Sequence, residues 1–253
     1  MAPEVDKAAS LALADGSVLA YRHVPGSVPG ILFCAGFNSN MQGIKALALE
    51  QWCREQGRQF TRFDYFGHGD SSGALEEGSI GRWRDDALAV LDQVTSGPQL
   101  VVGSSMGGWI MLLVARERPD RVFALVGLAA APDFTARLRA SLGEAQRRQL
   151  QDAGYMDLPN CYDDGEPYRI GRELLDEGDA HLLLGAEIDV TVPVRLIQGQ
   201  CDEDVPWRLA LGLAENIRSN DVEVQLVKAG DHRLSGPADL DRLRRTVAHL
   251  LAG

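Results

Sequence analysis

Four cysteines are all this chain of 253 residues contains (Cys34, Cys53, Cys161 and Cys201), and none pairs with another at the spacing of a metal knuckle or redox motif. That usage predicts reduced thiols in an intracellular protein and argues against a disulfide framework. Cations are also short: 25 Lys and Arg against 36 Asp and Glu leave a net charge of −11. Nucleic acids and anionic membranes reward clustered Lys and Arg, so neither is expected as the main partner. No apolar run approaches the ~20 residues of a membrane helix, so stable membrane insertion is not expected. The opening "MAPEVDKAAS" lacks the basic start and apolar core of a signal peptide. Internal repeats and low-complexity segments are absent too. The expectation is a soluble cytoplasmic protein, and 45% hydrophobic content suffices for one large core.

What is present is an alternation. "SLALADGSVLAYRHV" reads as a hairpin turning at Asp15-Gly16. Strand-like runs follow at "GILFCAG", "RQFTRFDY", "QLVVGS", "RVFALVGLAA", "VPVRLIQGQ" and "VEVQLVK". Helical spacing separates them, as in Ile80 to Val94 with Trp83, Ala87, Val90 and Leu91 on one side. Strand and helix in turn predict an α/β fold with a mostly parallel sheet covered on both faces. From about Pro132 to Asp189 the rhythm breaks into polar, acidic, helical sequence with no clear strand. This predicts a core of residues 1–131 and 190–253 with a helical cap inserted at 132–189. The interleaved Phe134, Leu138, Leu142, Tyr155, Met156, Leu158, Tyr162 and Tyr168 need a partner surface, which favours a lid over a bare surface excursion.

The chemistry centres on "PQLVVGSSMGGWIMLLVA", where a strand passes into a helix through Gly103-Ser104-Ser105-Met106-Gly107. G-x-S-x-G between strand and helix is the setting of a nucleophile elbow, with glycines where Cβ atoms would block a sharp turn. Only Ser105 has glycines at both offsets, and it sits at a helix N-terminus whose dipole favours negative charge. A serine hydroxyl needs an oriented base. Of five histidines, His23 and His249 fall on the hairpin and the last helix, His68 precedes the serine in a turn-rich loop, and His181 lies in the cap. His232, between the last strand and last helix, stands where the base belongs. The acid should end the preceding strand, where "GQCDEDVPW" offers Asp202, Glu203 and Asp204; Asp202 fits best, with Asp204 a competitor. Asp231 reads as a turn residue. Oxyanion donors are expected from the Met106 N–H and from the loop at Gly36-Phe37, chiefly the Phe37 N–H, with Asn38 a lesser candidate. Trp109, Phe134, Tyr155, Tyr162 and Leu183 are candidates for an acyl pocket, along with Asn38; Trp109 could equally pack helix against sheet. Cys201, Asp202 and His232 lack a repeated ligand spacing, so no metal is expected, and the chemistry needs no cofactor.

The stretches "CAGFNSNMQGIKALALE", "FDYFGHGDSSG", "GRWRDDALAVLD", "VVGSSMGGWIMLL", "LIQGQCDEDVPW" and "GDHRLS" together resemble the α/β-hydrolase fold. They are similar in particular to the α/β-hydrolase domain-containing protein 10 type, known as a mitochondrial palmitoyl-protein thioesterase and acyl-glucuronide esterase. The resemblance implies Ser105 as nucleophile, Asp202 as acid and His232 as base, and hydrolysis of thioesters or esters carrying long or bulky acyl groups. Its mitochondrial address is not expected to carry over, because no Arg-rich, acid-poor leader is visible. The partner expected is a small-molecule ester or acyl-thioester, or an acylated protein, bound by a monomer or homodimer. Rival readings are a triad-bearing binding protein with negligible turnover, an interaction scaffold, and a carbon–carbon bond hydrolase or amidase.

Overall fold

The structure, a computed structural model, describes residues 8–158 and 167–252. The predicted hairpin is Ala9–Ala12 (β1) and Val18–Val24 (β2), paired antiparallel around Gly16, whose φ of 87° needs no Cβ. Alternation follows: Ser27–Cys34 (β3), Ile44–Glu55 (α1), Arg58–Phe63 (β4), Ile80–Gln93 (α2), Gln99–Ser104 (β5), Met106–Glu117 (α3) and Val122–Leu128 (β6). A second region holds Phe134–Ser141 (α4), Glu144–Ala153 (α5), Tyr155–Leu158 (β7), Tyr168–Gly171 (β8) and Arg172–Gly178 (α6). The chain then resumes alternation with Val194–Gly199 (β9), Arg208–Asn216 (α7), Val222–Val227 (β10) and Pro237–Ala252 (α8).

One eight-stranded sheet runs β1-β2-β4-β3-β5-β6-β9-β10. The six strands from β4 to β10 are parallel, and β2 meets β4 antiparallel. Every residue of β5 and β9 is buried, as expected of central strands covered on both faces. The helix α3 is buried without a break from Met106 to Ala115. It lies against β5 and β6 on one side and α2 on the other, which is why its sequence is apolar all round.

This topology makes the site. After β3 the chain crosses to β4 on one side, and after β5 to β6 on the other. The loops leaving β3 and β5 therefore diverge, opening a crevice at the carboxyl ends of adjacent strands. Cys34 pairs with Gly103 in register, so the two loops start side by side.

The region between β6 and β9 is not purely helical, which corrects the expectation of no strand there. β7 and β8 form an antiparallel pair with Leu158 opposite Tyr168. Their inward residues, Met156 and Ile170, are buried, whereas Asp157 and Arg169 point outward and form an ion pair. Two alternating runs of only four residues inside an acidic stretch give too little pattern to register as strands. Asp133 ties the two ends of the region together, and two further bonds, from Gly81 and Trp109, fasten it to the helices that cover the sheet. The Asp133 carboxylate accepts the N–H groups of Leu183 (2.8 Å) and Leu184 (2.9 Å). Glu177 on α6 accepts the Gly81 N–H at 2.9 Å, placing an anion at the start of α2. Trp109 Nε1 donates to the His181 carbonyl at 3.0 Å.

Candidate active site

The bend between β5 and α3 is as tight as the glycines imply. A Cβ on Gly103 would strike the Gly107 carbonyl, and one on Gly107 would strike the Cys34 and Ala35 carbonyls. Ser105 itself adopts φ 55°, ψ −119°, a conformation costing a non-glycine residue on the order of 1–3 kcal/mol. The neighbourhood holds it there: Ser105 N–H donates to the Leu128 carbonyl (2.9 Å), and its own carbonyl accepts Gly108 N–H (2.8 Å) and Ala131 N–H (3.0 Å).

The hydroxyl so presented meets an imidazole. Ser105 Oγ lies 3.0 Å from His232 Nε2, and His232 Nδ1 lies 2.9 Å from Asp202 Oδ2. His232 occupies the loop between β10 and α8, and Asp202 the loop after β9. The two loops are laced together by Gln200 N–H to the Val227 carbonyl and Cys201 N–H to the Gly230 carbonyl, each 2.9 Å. Asp231 accepts Leu234 N–H at 3.0 Å, as a turn residue does.

Asp202 is the most heavily bonded carboxylate in the site. Its Oδ1 accepts the N–H groups of Asp204 (3.0 Å) and Val205 (2.8 Å), and its Oδ2 accepts Gln198 Nε2 (2.8 Å) besides His232. Burial resists ionisation, but the bonds from His232, Val205 and Gln198 outweigh it and hold the carboxyl below its ordinary value of 3.8. Asp204 is exposed, and its N–H is one of the donors that fix Asp202. Ligand atoms of Asp202, Asp204 and His232 come within 4.8 Å of one another. Four donors already use the lone pairs of Asp202, so this group is built to orient an imidazole and is poorly suited to hold a cation.

Two backbone N–H groups near the serine, those of Met106 and Phe37, bear on the expected oxyanion donors. Met106 opens α3, so its N–H has no partner within the helix. The turn after β3 passes against the serine: a Cβ on Gly36 would sit 3.4 Å from Ser105 Cβ. The turn closes through Ser39 N–H to the Gly36 carbonyl (3.2 Å). Among the described residues no backbone bond of a turn or loop is donated by Phe37 N–H. Asn38 N–H is engaged instead, donating to His68 Nε2 at 3.1 Å. A cleft of about 970 Å³ opens over the serine and histidine. Its apolar wall includes Phe37, Phe134, Leu138, Leu158, Tyr168 and Ile170. Phe37 meets Phe134 and Tyr168, each at a ring separation of 6.1 Å, so the wall joins the sheet layer to the inserted region.

A family model described as "Serine aminopeptidase, S33" matches residues 29–143. The chain is 44% identical over 233 residues to the mouse protein named "Palmitoyl-protein thioesterase ABHD10, mitochondrial", covering 92% of this chain and 78% of that one. The human protein of the same name is 39% identical, covering 92% and 76%. The solved structure of mouse α/β-hydrolase domain-containing protein 10 superposes with a TM-score of 0.90 at 42% identity, covering 97% of this chain and 98% of that one. The chain belongs to the ABHD10 family of α/β-hydrolases. It has the α/β-hydrolase fold and is a hydrolase of that class. The cytoplasmic expectation is thereby overturned, because both ABHD10 relatives are named as mitochondrial proteins. Charge balance and the composition of ten N-terminal residues do not carry that information.

The structure brings Ser105, His232, Phe37, Met106, Asn38 and Phe134 onto the cleft wall, with Asp202 behind His232. It does not place Trp109 there. The indole is wholly buried, edge-on to Phe134 at 5.8 Å and bonded to His181, so it packs α3 under the inserted region. Tyr155 also lies off the cleft wall, its ring covered by the Arg169 guanidinium at 4.1 Å. Leu183 is buried behind Asp133. Tyr162 lies outside the described residues. Sequence reasoning passed over Lys45 and Arg137, which both line the cleft. Burial lowers the Arg137 pKa against the pull of Asp133 and Asp202, and burial brings Lys45 down to about 8. A lone cation on a helix reads as a solvent-facing residue, and nothing in its spacing reveals otherwise.

Proposed function

We propose that the protein is a serine hydrolase that cleaves thioesters and oxygen esters of long or bulky carboxylic acids through an acyl-enzyme. The observation that carries this reading is the unbroken chain of hydrogen bonds from Ser105 through His232 to Asp202 beneath an apolar cleft. Ser105 Oγ attacks the acyl carbon while His232 Nε2 takes its proton. The N–H groups of Phe37 and Met106 receive the oxyanion. His232 then protonates the departing thiol or alcohol, and the same histidine activates water to release the acid. Asp202 holds the Nδ1–H tautomer and stabilises the imidazolium. Residues 132–189 act as a cap, contributing Phe134, Leu138 and Tyr168 to the acyl wall, with Asn38 beside the reacting carbonyl. The site is complete within one chain and uses no cofactor, and its substrate is a small ester, an acyl-thioester or an acylated protein. The name of the ABHD10 relatives supports the thioester assignment.

The test is hydrolysis of p-nitrophenyl esters from acetate to palmitate and of a palmitoyl-thioester, by the wild type and by Ser105→Ala. Turnover that falls at least ~10³-fold in the variant is expected. Wild-type turnover no greater than the variant's on every substrate would sink the reading and favour a binding protein that keeps the triad.

A further inference from the structure

Asn38 N–H donates to Nε2 of His68, 30 residues along the chain. His68 is almost fully buried, at 4% exposure, between the edges of Phe37, Tyr65 and Trp83. Both of its nitrogens face backbone groups with fixed roles. Asn38 N–H can only donate, so Nε2 must be bare. The Phe66 carbonyl, 3.1 Å from Nδ1, can only accept, so Nδ1 must carry the proton. Burial lowers the pKa of this imidazole below its ordinary 6.5, consistent with the neutral form both contacts require. The ring's own backbone is anchored on both sides, by His68 N–H to the Tyr65 carbonyl (2.9 Å) and Ser71 N–H to the His68 carbonyl (3.0 Å).

What this ring holds is the turn Gly36–Ser39. Asn38 sits there at φ 50°, a left-handed conformation uncommon for a residue with a side chain. The far end of the same loop is tied by other groups: Met41 N–H donates to Asp64 Oδ1 (2.6 Å), and its carbonyl accepts Arg62 Nη1 (2.8 Å). At the near end, Asn38 N–H to His68 (3.1 Å) and a longer bond from Ser39 Oγ to the Phe37 carbonyl (3.5 Å) hold the peptide joining Phe37 to Asn38, one peptide beyond the Phe37 N–H.

We propose that His68, as a neutral imidazole protonated on Nδ1, is a positioning residue that locks this turn and so aims the Phe37 N–H at the reacting carbonyl. This inference rests on the proposed role of Phe37 as an oxyanion donor. A donor displaced from the oxyanion is lost to the transition state while leaving ground-state binding in the cleft largely intact. His68 touches no substrate, so its removal acts on kcat.

The experiment compares kcat and KM on p-nitrophenyl butyrate for the wild type, His68→Ala, His68→Gln and Ser105→Ala, with melting temperatures. It adds ¹⁵N NMR of the wild-type imidazoles at pH 7. In His68→Ala, kcat is expected to fall about 10- to 100-fold, approaching the loss of an oxyanion donor, with KM nearly unchanged. In His68→Gln, whose amide oxygen can accept the Asn38 N–H, most of that loss is recovered. The NMR spectrum should show a neutral His68 with its proton on Nδ1. A folded His68→Ala with wild-type kcat, or with an effect confined to KM, overturns the proposal. So does an Nε2–H tautomer or an imidazolium in the wild type, a result that decides the matter even if the alanine variant does not fold. Turnover retained by Ser105→Ala would instead overturn the proposed Ser105 mechanism itself.

Discussion

Replacing Asp202 by Asn removes one charge and converts one acceptor oxygen into a donor, where every group bonded to that side chain is a donor. Four of them converge on this side chain: the N–H groups of Asp204 and Val205 at Oδ1, and Gln198 Nε2 and His232 Nδ1 at Oδ2. An amide can keep its oxygen toward the two backbone donors, but its NH₂ then faces Gln198 and His232. Gln198 cannot simply reverse its own amide, because its nitrogen also donates to the Val205 carbonyl at 3.2 Å. His232 can escape only by moving its proton to Nε2. That nitrogen would then present N–H to Ser105 Oγ and could no longer take its proton. The expected outcome is a fall in kcat of about 10⁴-fold, the scale seen when a triad acid becomes an amide. Mispaired donors at a buried position add a stability loss of about 1–3 kcal/mol, or ~2–4 °C in Tm per kcal/mol for a chain of this size.

The assay is kcat on a p-nitrophenyl ester at neutral pH, with Asp204→Asn beside it. Asp204 is exposed and contributes its backbone N–H, which the substitution leaves in place. Its variant should stay within about tenfold of wild type. Asp202→Asn within tenfold of wild type, or a larger loss in Asp204→Asn, refutes the assignment of the orienting acid. Linkage supplies a second check. The Asp202 carboxyl is held below 3.8 in the folded state. The stability it contributes as an anion is therefore complete above that value and disappears as pH falls through the folded pKa. The Tm gap between wild type and Asp202→Asn should close on acidification below about pH 4; a gap that widens there contradicts the sign of the shift.

Three other substitutions separate site from scaffold. Gly107→Ala drives a Cβ into the Cys34 and Ala35 carbonyls, so the elbow must open; thermal melting and ester hydrolysis should both fall, and an active variant with wild-type Tm would show that the turn tolerates a methyl group. Trp109→Phe removes the donor to the His181 carbonyl and should cost about 1–3 kcal/mol, with KM unchanged across the ester series; a chain-length-dependent rise in KM would return Trp109 to the acyl pocket. Phe134→Ala, by contrast, strips the cleft wall next to Phe37. It should weaken palmitate turnover relative to acetate by about 1–3 kcal/mol in kcat/KM, a factor of roughly 10–200, and equal effects on both esters would remove Phe134 from the wall.

Such contrasts trace where the sequence was readable. Ser105 stands out because its constraints are local: the glycines that clear the crossing lie two residues before and two after it, between a strand and a helix. His232 and Asp202 follow from chain order, since parallel strands deliver successive loops to the same edge of the sheet. Trp109 has no such signature. In a helix buried on every side, apolar residues carry no periodicity that tells the face toward a cleft from the face toward a neighbouring helix. Tyr155 misleads for the opposite reason: an aromatic in a polar stretch invites a ligand, whereas an arginine across the β7–β8 pair covers it. Asp133 and His68 are the hardest cases. Each acts on backbone N–H groups, 50 and 30 residues away, and every residue except proline offers that group, so the partner leaves no mark in the sequence. Side chains that carry chemistry can thus be found by type and spacing, but those that aim the backbone become visible only when the chain is folded. The turn Gly36–Ser39 belongs to the second kind: Gly36 and Phe37 could be named from the strand before them, but not the ring that bonds Asn38 N–H.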